Sequence, residues 1–446
     1  MSLLGIVLGL VLLMLLAYKG YSIIWVAPVC AVVVAVLSGY AILDAYIGDY
    51  MRGMADYVFQ WFPPFFLGAV YGKVMDMTGS ARSLGNALVK IIGSRFAVLA
   101  VVAPCLLMTF GGISLFVVVF VIYPMGYSIY RAADLPRTLL PGAIATGAFG
   151  ITMTAIPGTP HIQNIIPTEY YGTPAPAAPL LSVVANIGMF VPAYAYLEWR
   201  APSARKKGLH FVPDPKHVEV DHDEKNLPSW HWVTGIIPVI VVVLMLNVFP
   251  GILENATGVA LSSSQAMVVA LLCGIIVACL LNLNQAKILL PAINEGANGS
   301  MGAIMNTACA VGFGSVVKVV PGFAVLTNLA LNMPGSILFS EAIAVNLLAG
   351  ATGSASGGMS IALEALGPRF AEMAAGNTAT LEALHRIASI SSGGLDTLPH
   401  NGAVLTLLAV SNCTHKESYL DICVTTCIIP LIASLALALV WGFIGI

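Results

Sequence analysis

The stretch "LDTLPHNGAVLTLL" (395–408) joins a polar half to a half that is apolar enough for a membrane span. The polar half contains Asp396, Pro399, His400 and an Asn-Gly pair that begins at Asn401. Proline and glycine interrupt helices, and Asp and His are costly within lipid. A membrane helix that contains this stretch is therefore predicted to be broken inside the membrane, and the break is a candidate functional site.

The composition of the whole chain indicates a membrane protein. Of its 446 residues, 58% are hydrophobic and only 9% are charged, whereas soluble proteins have about 25% charged residues. The first apolar run, "LLGIVLGLVLLMLLAY", has no charged segment before it and no small-residue cleavage site, so it predicts a first span. With a net charge of −2 and no basic patch, no nucleic-acid partner is expected.

Apolar segments of about 20 residues predict about ten transmembrane helices in an all-α fold. These segments are 3–18, 22–41, 57–76, 138–156, 179–198, 233–250, 264–282, 300–317, 379–393 with 401–412, and 418–444. Two further segments, 95–130 and 336–370, each contain two short apolar runs around a turn rich in Gly and Ser. This pattern is typical of a re-entrant hairpin, whose non-helical tip must be buried in protein or face water.

The two hairpins and the helices that follow them repeat the same order of motifs. Both hairpins contain the pattern GGxS, formed by Gly111, Gly112 and Ser114 in the first and by Gly357, Gly358 and Ser360 in the second. Each is followed by a helix broken at Pro-His: His161 comes 47 residues after Ser114, and His400 comes 40 residues after Ser360. The shared order favours a duplicated unit.

The duplication predicts two repeats of opposite orientation. The first repeat is 1–199, with a hairpin at about 95–130 and a broken helix at about 138–175. A connector, 200–231, leads to the second repeat, 232–446, with a hairpin at about 336–370 and a broken helix at about 379–412. Each half crosses the membrane five times, which inverts the second half, as in many secondary transporters.

The distribution of basic residues orients this topology. If the connector is cytoplasmic, 15 of the 19 Lys and Arg residues lie inside. The four that would lie outside are Arg52, Lys318, Arg369 and Arg386. This bias follows the positive-inside rule and predicts that both termini are periplasmic or external.

The breaks and hairpin tips offer the chemistry of a small ligand site. Half-helix N-termini attract anions, exposed carbonyls can hold cations, and glycine tips allow close backbone approach. The candidate substrate-binding residues are Gly111, Gly112, Ser114, Thr159, His161, Asn164, Ser354, Ser356, Gly357, Gly358, Ser360, Thr397, His400 and Asn401. No Arg or Lys lies in these segments, so helix ends, hydroxyls and a protonated His are expected to hold a carboxylate.

The two imidazoles have two interpretations each. His161 and His400 either cap a broken helix or bind substrate, and His400 is also a candidate proton carrier because histidine changes charge near neutral pH. Asp396 either orients His400 or carries the proton itself. The two form the predicted proton-coupling pair, and we expect neither a metal site nor a cofactor.

The segments "GSASGGMSIALEAL" and "SSGGLDTLPHNGAVLTLLAVSNCTHKESYLDI" resemble the gluconate permease family of the ion transporter superfamily. The resemblance extends over essentially the whole chain, and the Leu-Pro-His-Asn form is most similar to the branch associated with 3-hydroxybutyrate and other short hydroxy acids. It implies a proton-coupled symporter of the bacterial inner membrane, a homodimer, and an elevator-like movement of a transport part against a scaffold.

Several alternatives remain at the level of sequence. Gluconate or another sugar acid is the alternative substrate, and Na⁺ is the alternative coupling ion. A channel would need a continuous pore, which two dissimilar halves with closed hairpin tips do not favour. An intramembrane enzyme is the third class, although the chain has neither an HExxH nor a GxSxG motif.

Overall fold

The computed structural model describes residues 2–19, 21–92, 96–113, 115–206, 208–213, 228, 230–325, 336–399 and 401–444. Within these ranges the chain forms helices and turns and no strand, so the all-α prediction is confirmed. Two of the candidate site residues, Ser114 and His400, lie outside the described residues.

The first half of the chain places its hairpin and its broken helix one after the other. Its helices are α1 (Ser2–Tyr18), α2 (Ile23–Ser38), α3 (Met51–Met77), α4 (Ser80–Ile92), α5 (Ala97–Phe110), α6 (Leu115–Ala132), α7 (Leu140–Ala145), α8 (Ile151–Thr154), α9 (Ile162–Tyr171) and α10 (Pro179–Lys206). The first hairpin consists of α5 and α6. The first broken helix consists of α7 and α8 before the break and α9 after it.

The second half also contains a hairpin followed by a broken helix. Its helices are α11 (Trp232–Asn247), α12 (Phe249–Thr257), α13 (Ser263–Leu281), α14 (Ala286–Val319), α15 (Ile337–Thr352), α16 (Ala355–Met373), α17 (Thr378–Ser392), α18 (Gly402–Val410), α19 (His415–Cys423) and α20 (Ile429–Ile444). The second hairpin is formed by α15 and α16, and the second broken helix is formed by α17 and α18.

The surface of this helical assembly is apolar, as a multi-pass membrane protein requires. Large side chains such as Phe59 (88% exposed) and Phe443 (84% exposed) point outward. Among the described helices, four are long and apolar enough to cross a bilayer, or five if α11 and α12, bent by 46°, form one span. This length criterion leaves out broken helices and shorter apolar helices. The prediction of about ten transmembrane helices therefore stays a prediction.

The hairpins and broken helices pack together as one cluster. The first arm of each hairpin contacts the first part of the broken helix that follows it: α5 lies against the 146–150 turn, and α15 lies against α17. The helix after each break packs on the second arm of the other hairpin: α9 packs on α16, and α18 packs on α6. Both breaks are thereby brought to the same region of the molecule.

A second hydrophobic core lies among the first two helices and α14. Helix α2 packs on both α1 and α14, and this core includes Val34 and Phe313. Helix α14 also runs against α3 and contacts α16 of the second hairpin, so the spans and the cluster share one larger core. Bulky apolar residues on these helices interlock with small ones such as Ala27 and Ala31, which allows close helix approach.

In the part of the chain that the structure describes, turns of π-helix occur at Asp44–Tyr50, Thr146–Gly150 and Val424–Ile428. The second lies between α7 and α8 just before the first break, and it contacts the third, which lies between α19 and α20. A π turn contains one residue more than the α-helix needs, and such turns are frequent at functional sites.

The two GGxS patterns occupy different places in their hairpins. In the first hairpin, Gly111 and Gly112 form the turn, and Gly112 has a φ of +82° that favours glycine. In the second, the turn is at Gly353 and Ser354, and Gly357 and Gly358 lie inside α16. A Cβ at Gly358 would collide with the backbone of Ala349, so this glycine allows the two arms of the hairpin to pack closely.

Candidate functional site

The tip of the first hairpin lies against the first helix break. His161 stands at the start of α9, and its Nε2 lies 2.7 Å from the carbonyl oxygen of Thr109 at the end of α5. A Cβ added to Gly112 would lie 2.9 Å from Cγ of Pro160. The imidazole makes no side-chain bond to the N–H groups of α9, so His161 joins the break to the hairpin instead of capping the helix.

The tip of the second hairpin lies against the second break in a similar way. Asn401 donates from Nδ2 to the carbonyl of Gly353 over 2.9 Å, and its Oδ1 accepts from the N–H of Val404 at 2.9 Å. One amide therefore binds the hairpin tip and caps α18. The carbonyls of the break are also held by α19, whose Tyr419 hydroxyl donates to Thr397 O over 3.2 Å.

The two breaks meet each other inside the protein. Ser389, near the end of α17, donates its hydroxyl hydrogen to the carbonyl of Thr154 at the end of α8, over 2.8 Å. A Cβ at Gly393 would come within 2.8 Å of Cγ2 of Thr154. Two interrupted helices and two hairpin tips thus converge, which is the arrangement expected of a small enclosed ligand site.

Several candidate residues are occupied by structural contacts. The Ser354 hydroxyl caps α16 by accepting from the N–H of Gly357 at 3.1 Å. Thr397 points toward the last span, where its Oγ1 lies 2.7 Å from that of Thr426. Ser356 is half-buried, and the buried Ser360 hydroxyl has no hydrogen-bond partner within the described residues. Of these four, only Ser356 and Ser360 keep hydroxyls without an assigned structural role.

Asp396 is the acidic residue of the second break. Its side chain is 4% exposed, and its Oδ1 has no hydrogen-bond partner among the residues that the structure describes. An unpaired carboxylate buried in this way is costly, whereas the protonated carboxyl is not charged. The break therefore contains a group suited to bind and release a proton or a cation.

Arg386 is a buried cation that the sequence analysis placed at the outer surface. It lies inside α17, is fully buried, and donates to the carbonyls of Ala175 and Ala177 and to Oδ1 of Asn164. Asn164 in turn donates to the carbonyl of Thr159 in the first break, over 3.1 Å. A buried arginine from α17 therefore contacts Asn164, one of the candidate site residues. The available signal was a lone Arg within the apolar helical run "LHRIASI".

Glu341 of α15 is a second acidic residue that the sequence analysis did not include in the site. It is fully buried and accepts a hydrogen bond from the Tyr171 hydroxyl, while its Oε2 has no partner in the described part of the chain. The neighbouring Tyr170 donates to Glu364 over 3.1 Å, and Glu364 pairs with Lys318 at 2.8 Å. The end of α9 thus contacts acidic groups on both arms of the second hairpin.

An open pocket of about 530 Å³ reaches the second break from the surface. Its lining residues are Pro399, Leu405, His415, Lys416 and Tyr419. His415 contacts the carbonyl of Pro399 through Nε2 at 2.9 Å. The exposed Lys416 thus lines a cavity that adjoins the second break.

Comparison with known proteins agrees with this architecture. Residues 215–443 match the model of the Na⁺/H⁺ antiporter family. The "Uncharacterized transporter YxjC" of Bacillus subtilis (strain 168) is 36% identical over an alignment of 458 positions, and the alignment covers 96% of each chain. Together with the apolar helices and the paired breaks, these matches show a multi-pass membrane transporter. The chain belongs to the Na⁺/H⁺ antiporter family.

Proposed function

We propose that this transporter is a symporter that imports a small hydroxy-monocarboxylate together with H⁺, and that 3-hydroxybutyrate is the first substrate to test. The observation that supports this most directly is Asp396, a buried carboxyl group in the second break, whose Oδ1 has no hydrogen-bond partner among the described residues. The resemblance to the gluconate permease family, in its short hydroxy-acid branch, suggests the substrate class.

In the proposed cycle, protonation makes the site able to bind an anion. Asp396, with His400 beside it in sequence, takes up a proton from the outer side, which removes negative charge from the break. The carboxylate then binds among the helix ends and hydroxyls. On the inner side the proton leaves, the negative charge of Asp396 returns, and like-charge repulsion favours release of the anion.

The packing favours a movement of hairpins and breaks as one body. His161 bonds the first break to its hairpin, and Asn401 bonds the second break to its hairpin. We propose an elevator-like movement of this unit against a static scaffold formed by the first, second and final spans of each half, in a homodimer of the bacterial inner membrane. The connector would be cytoplasmic and both termini external.

The family description favours a second candidate function, the exchange of Na⁺ for H⁺. A carboxyl that binds Na⁺ and H⁺ in turn would serve that reaction, and the buried Asp396, whose Oδ1 has no partner among the described residues, is the candidate for it. A Na⁺-coupled carboxylate carrier and a gluconate or sugar-acid permease are the further alternatives of the same fold.

Uptake into proteoliposomes tests these functions separately. Labelled 3-hydroxybutyrate and labelled gluconate are offered under an imposed pH gradient or an imposed Na⁺ gradient, and a pH-sensitive dye inside reports proton movement. We expect the pH gradient to concentrate 3-hydroxybutyrate. Asp396→Asn should abolish concentration against the gradient but retain exchange of labelled for unlabelled substrate.

The matched control is Asp44→Asn, the same change at an exposed position far along the chain from both breaks. It should transport as the parent protein does. If a Na⁺ gradient concentrates the acid inside the vesicles and a pH gradient does not, the coupling ion is Na⁺ and not H⁺. Proton movement driven by Na⁺ with no acid present, and no uptake of either acid, would establish the second candidate.

A further inference from the structure

The guanidinium of Arg386 is held by neutral groups. Nε donates to Ala177 O over 3.3 Å, Nη2 donates to Ala175 O and Ala177 O over 3.2 and 3.0 Å, and Nη1 donates to Asn164 Oδ1 over 2.8 Å. A guanidinium has five N–H groups. Four are used here, and the second N–H of Nη1 has no acceptor in the described ranges.

The charge of Arg386 has no counter-charge in the structure. None of the carboxylates that the structure describes lies within 4.0 Å of its nitrogens, whereas Arg200, the other largely covered arginine, pairs with Asp421 at 2.6 Å. Buried charges in proteins are normally paired, because an isolated charge in an apolar interior costs several kcal/mol or more. An ionisable residue inside a membrane protein without a partner indicates a functional role.

A polar group without a partner lies close to this cation. Asn164 connects Arg386 to Thr159, whose hydroxyl is buried and has no hydrogen-bond partner within the described residues. His385, which precedes Arg386 in α17, is already bonded, because its Nδ1 contacts the Thr173 hydroxyl at 2.7 Å. A guanidinium without a counter-charge and a hydroxyl without a partner match the needs of a hydroxy acid, which has a carboxylate and a hydroxyl.

We propose that Arg386 is the fixed positive charge that binds the carboxylate of the transported anion. This inference rests on the proposed function and assigns the anion to the side of the first break, at Asn164 and Thr159. Asp396, in the second break, remains the group that takes up the proton. Separating the fixed cation from the titrating carboxyl allows the anion to be attracted at any pH, while its release is controlled by the proton.

The most direct test supplies the missing counter-charge from the protein itself. Asn164→Asp preserves the size of the side chain and places a carboxylate at the position of the amide oxygen, 2.8 Å from Nη1. This internal anion should compete with the substrate. A charge-assisted hydrogen bond contributes about 1.5–3 kcal/mol, so we expect KM for 3-hydroxybutyrate to rise roughly ten- to hundredfold.

Asn164→Ala distinguishes loss of the amide from gain of the charge. It removes the bonds to Arg386 and to Thr159 O without adding an anion. The guanidinium then stays available to the substrate, and KM should change only about threefold. Asn377→Asp is the matched control: Asn377 is exposed at the start of the same helix and accepts from backbone N–H groups, which Asp also does. Its KM should equal that of the parent protein.

Ligand-induced thermal stabilisation gives a readout that a purely structural role would not change. The parent protein should be stabilised by 3-hydroxybutyrate but not by its uncharged methyl ester. Asn164→Asp should lose this ligand-induced shift, which is measured relative to its own ligand-free unfolding temperature because the variant also loses the bond to Thr159 O. A parental KM in Asn164→Asp, or equal losses in the Asp and Ala variants, would overturn the assignment of Arg386. If the parent protein itself neither binds nor transports any carboxylate, the proposed function fails, and the inference fails with it.

Discussion

Removing the side chain of Asn401 tests the link between the second hairpin and the second break. The amide makes two bonds, one to Gly353 O and one from the N–H of Val404. Loss of a helix cap costs about 1 kcal/mol. Leaving the partly buried Gly353 carbonyl without a donor costs about 1–3 kcal/mol. Asn401→Ala is therefore expected to destabilise the folded protein by about 2–4 kcal/mol.

Asn401→Asp separates the two bonds. A carboxylate still accepts from Val404, but it cannot donate to Gly353 and repels that carbonyl, so this variant should lose about 1–3 kcal/mol. Unfolding in detergent can be followed by the fluorescence of the six tryptophans. At about 2 °C per kcal/mol, the value for larger domains, Tm should fall by about 4–8 °C for Ala and about 2–6 °C for Asp.

The control for this series is Asn377→Asp, which changes an exposed helix cap that makes no bond to a hairpin. Its Tm should stay within about 1 °C of the parent value, because Asn and Asp cap helices about equally well. If Asn401→Asp unfolds at the parental temperature, as this control should, the bond from Asn401 to Gly353 does not hold the hairpin tip to the break. The second hairpin and the second break would then have no reason to move together through this bond.

Two further changes test packing and charge. Gly394→Ala should destabilise the protein by about 1–3 kcal/mol, because its Cβ would collide with Oδ1 of Asn346. The control is Gly402→Ala, whose Cβ meets no atom within 4 Å and should leave the stability unchanged. Equal Tm values for the two variants would show that this collision does not matter. Arg200→Met leaves the buried carboxylate of Asp421 unpaired and should cost about 3 kcal/mol at low and high salt alike. Its control, Arg369→Met, breaks an exposed ion pair and should cost less than about 1 kcal/mol. Equal losses in the two arginine variants, measured by thermal unfolding in a salt series, would show that burial of the pair does not matter.

The elements around the site were accessible from sequence because glycine, proline and serine act locally. The turns at Gly112 and Gly353 and the interruptions at 155–161 and 393–401 follow from the backbone preferences of these residues. The GGxS pattern was misleading as a guide to equivalent positions, since close helix packing at Gly358 and a turn at Gly112 both require glycine.

The partners of Arg386 could not be inferred from its neighbours in sequence. A lone arginine inside an apolar helical run is unusual, but it has the same local pattern whether it faces water or is buried. Two of its acceptors are the backbone carbonyls of Ala175 and Ala177, more than 200 residues away, which have no side-chain signature. The Tyr171–Glu341 contact joins two side chains that lie far apart along the chain, and neither local sequence identifies the other.

The π turn at Thr146–Gly150 has a consequence for how this family can diversify. Because this turn holds one residue more than an α-helix needs, deleting that residue would restore a regular α-helix and leave the segments on both sides near their present positions. The contact between Ser389 and Thr154, beyond the turn, would then be kept. The change would be confined to the surface that the turn presents to the π turn at Val424–Ile428. A one-residue gap at 146–150 is therefore expected to be tolerated among relatives without displacing the first break.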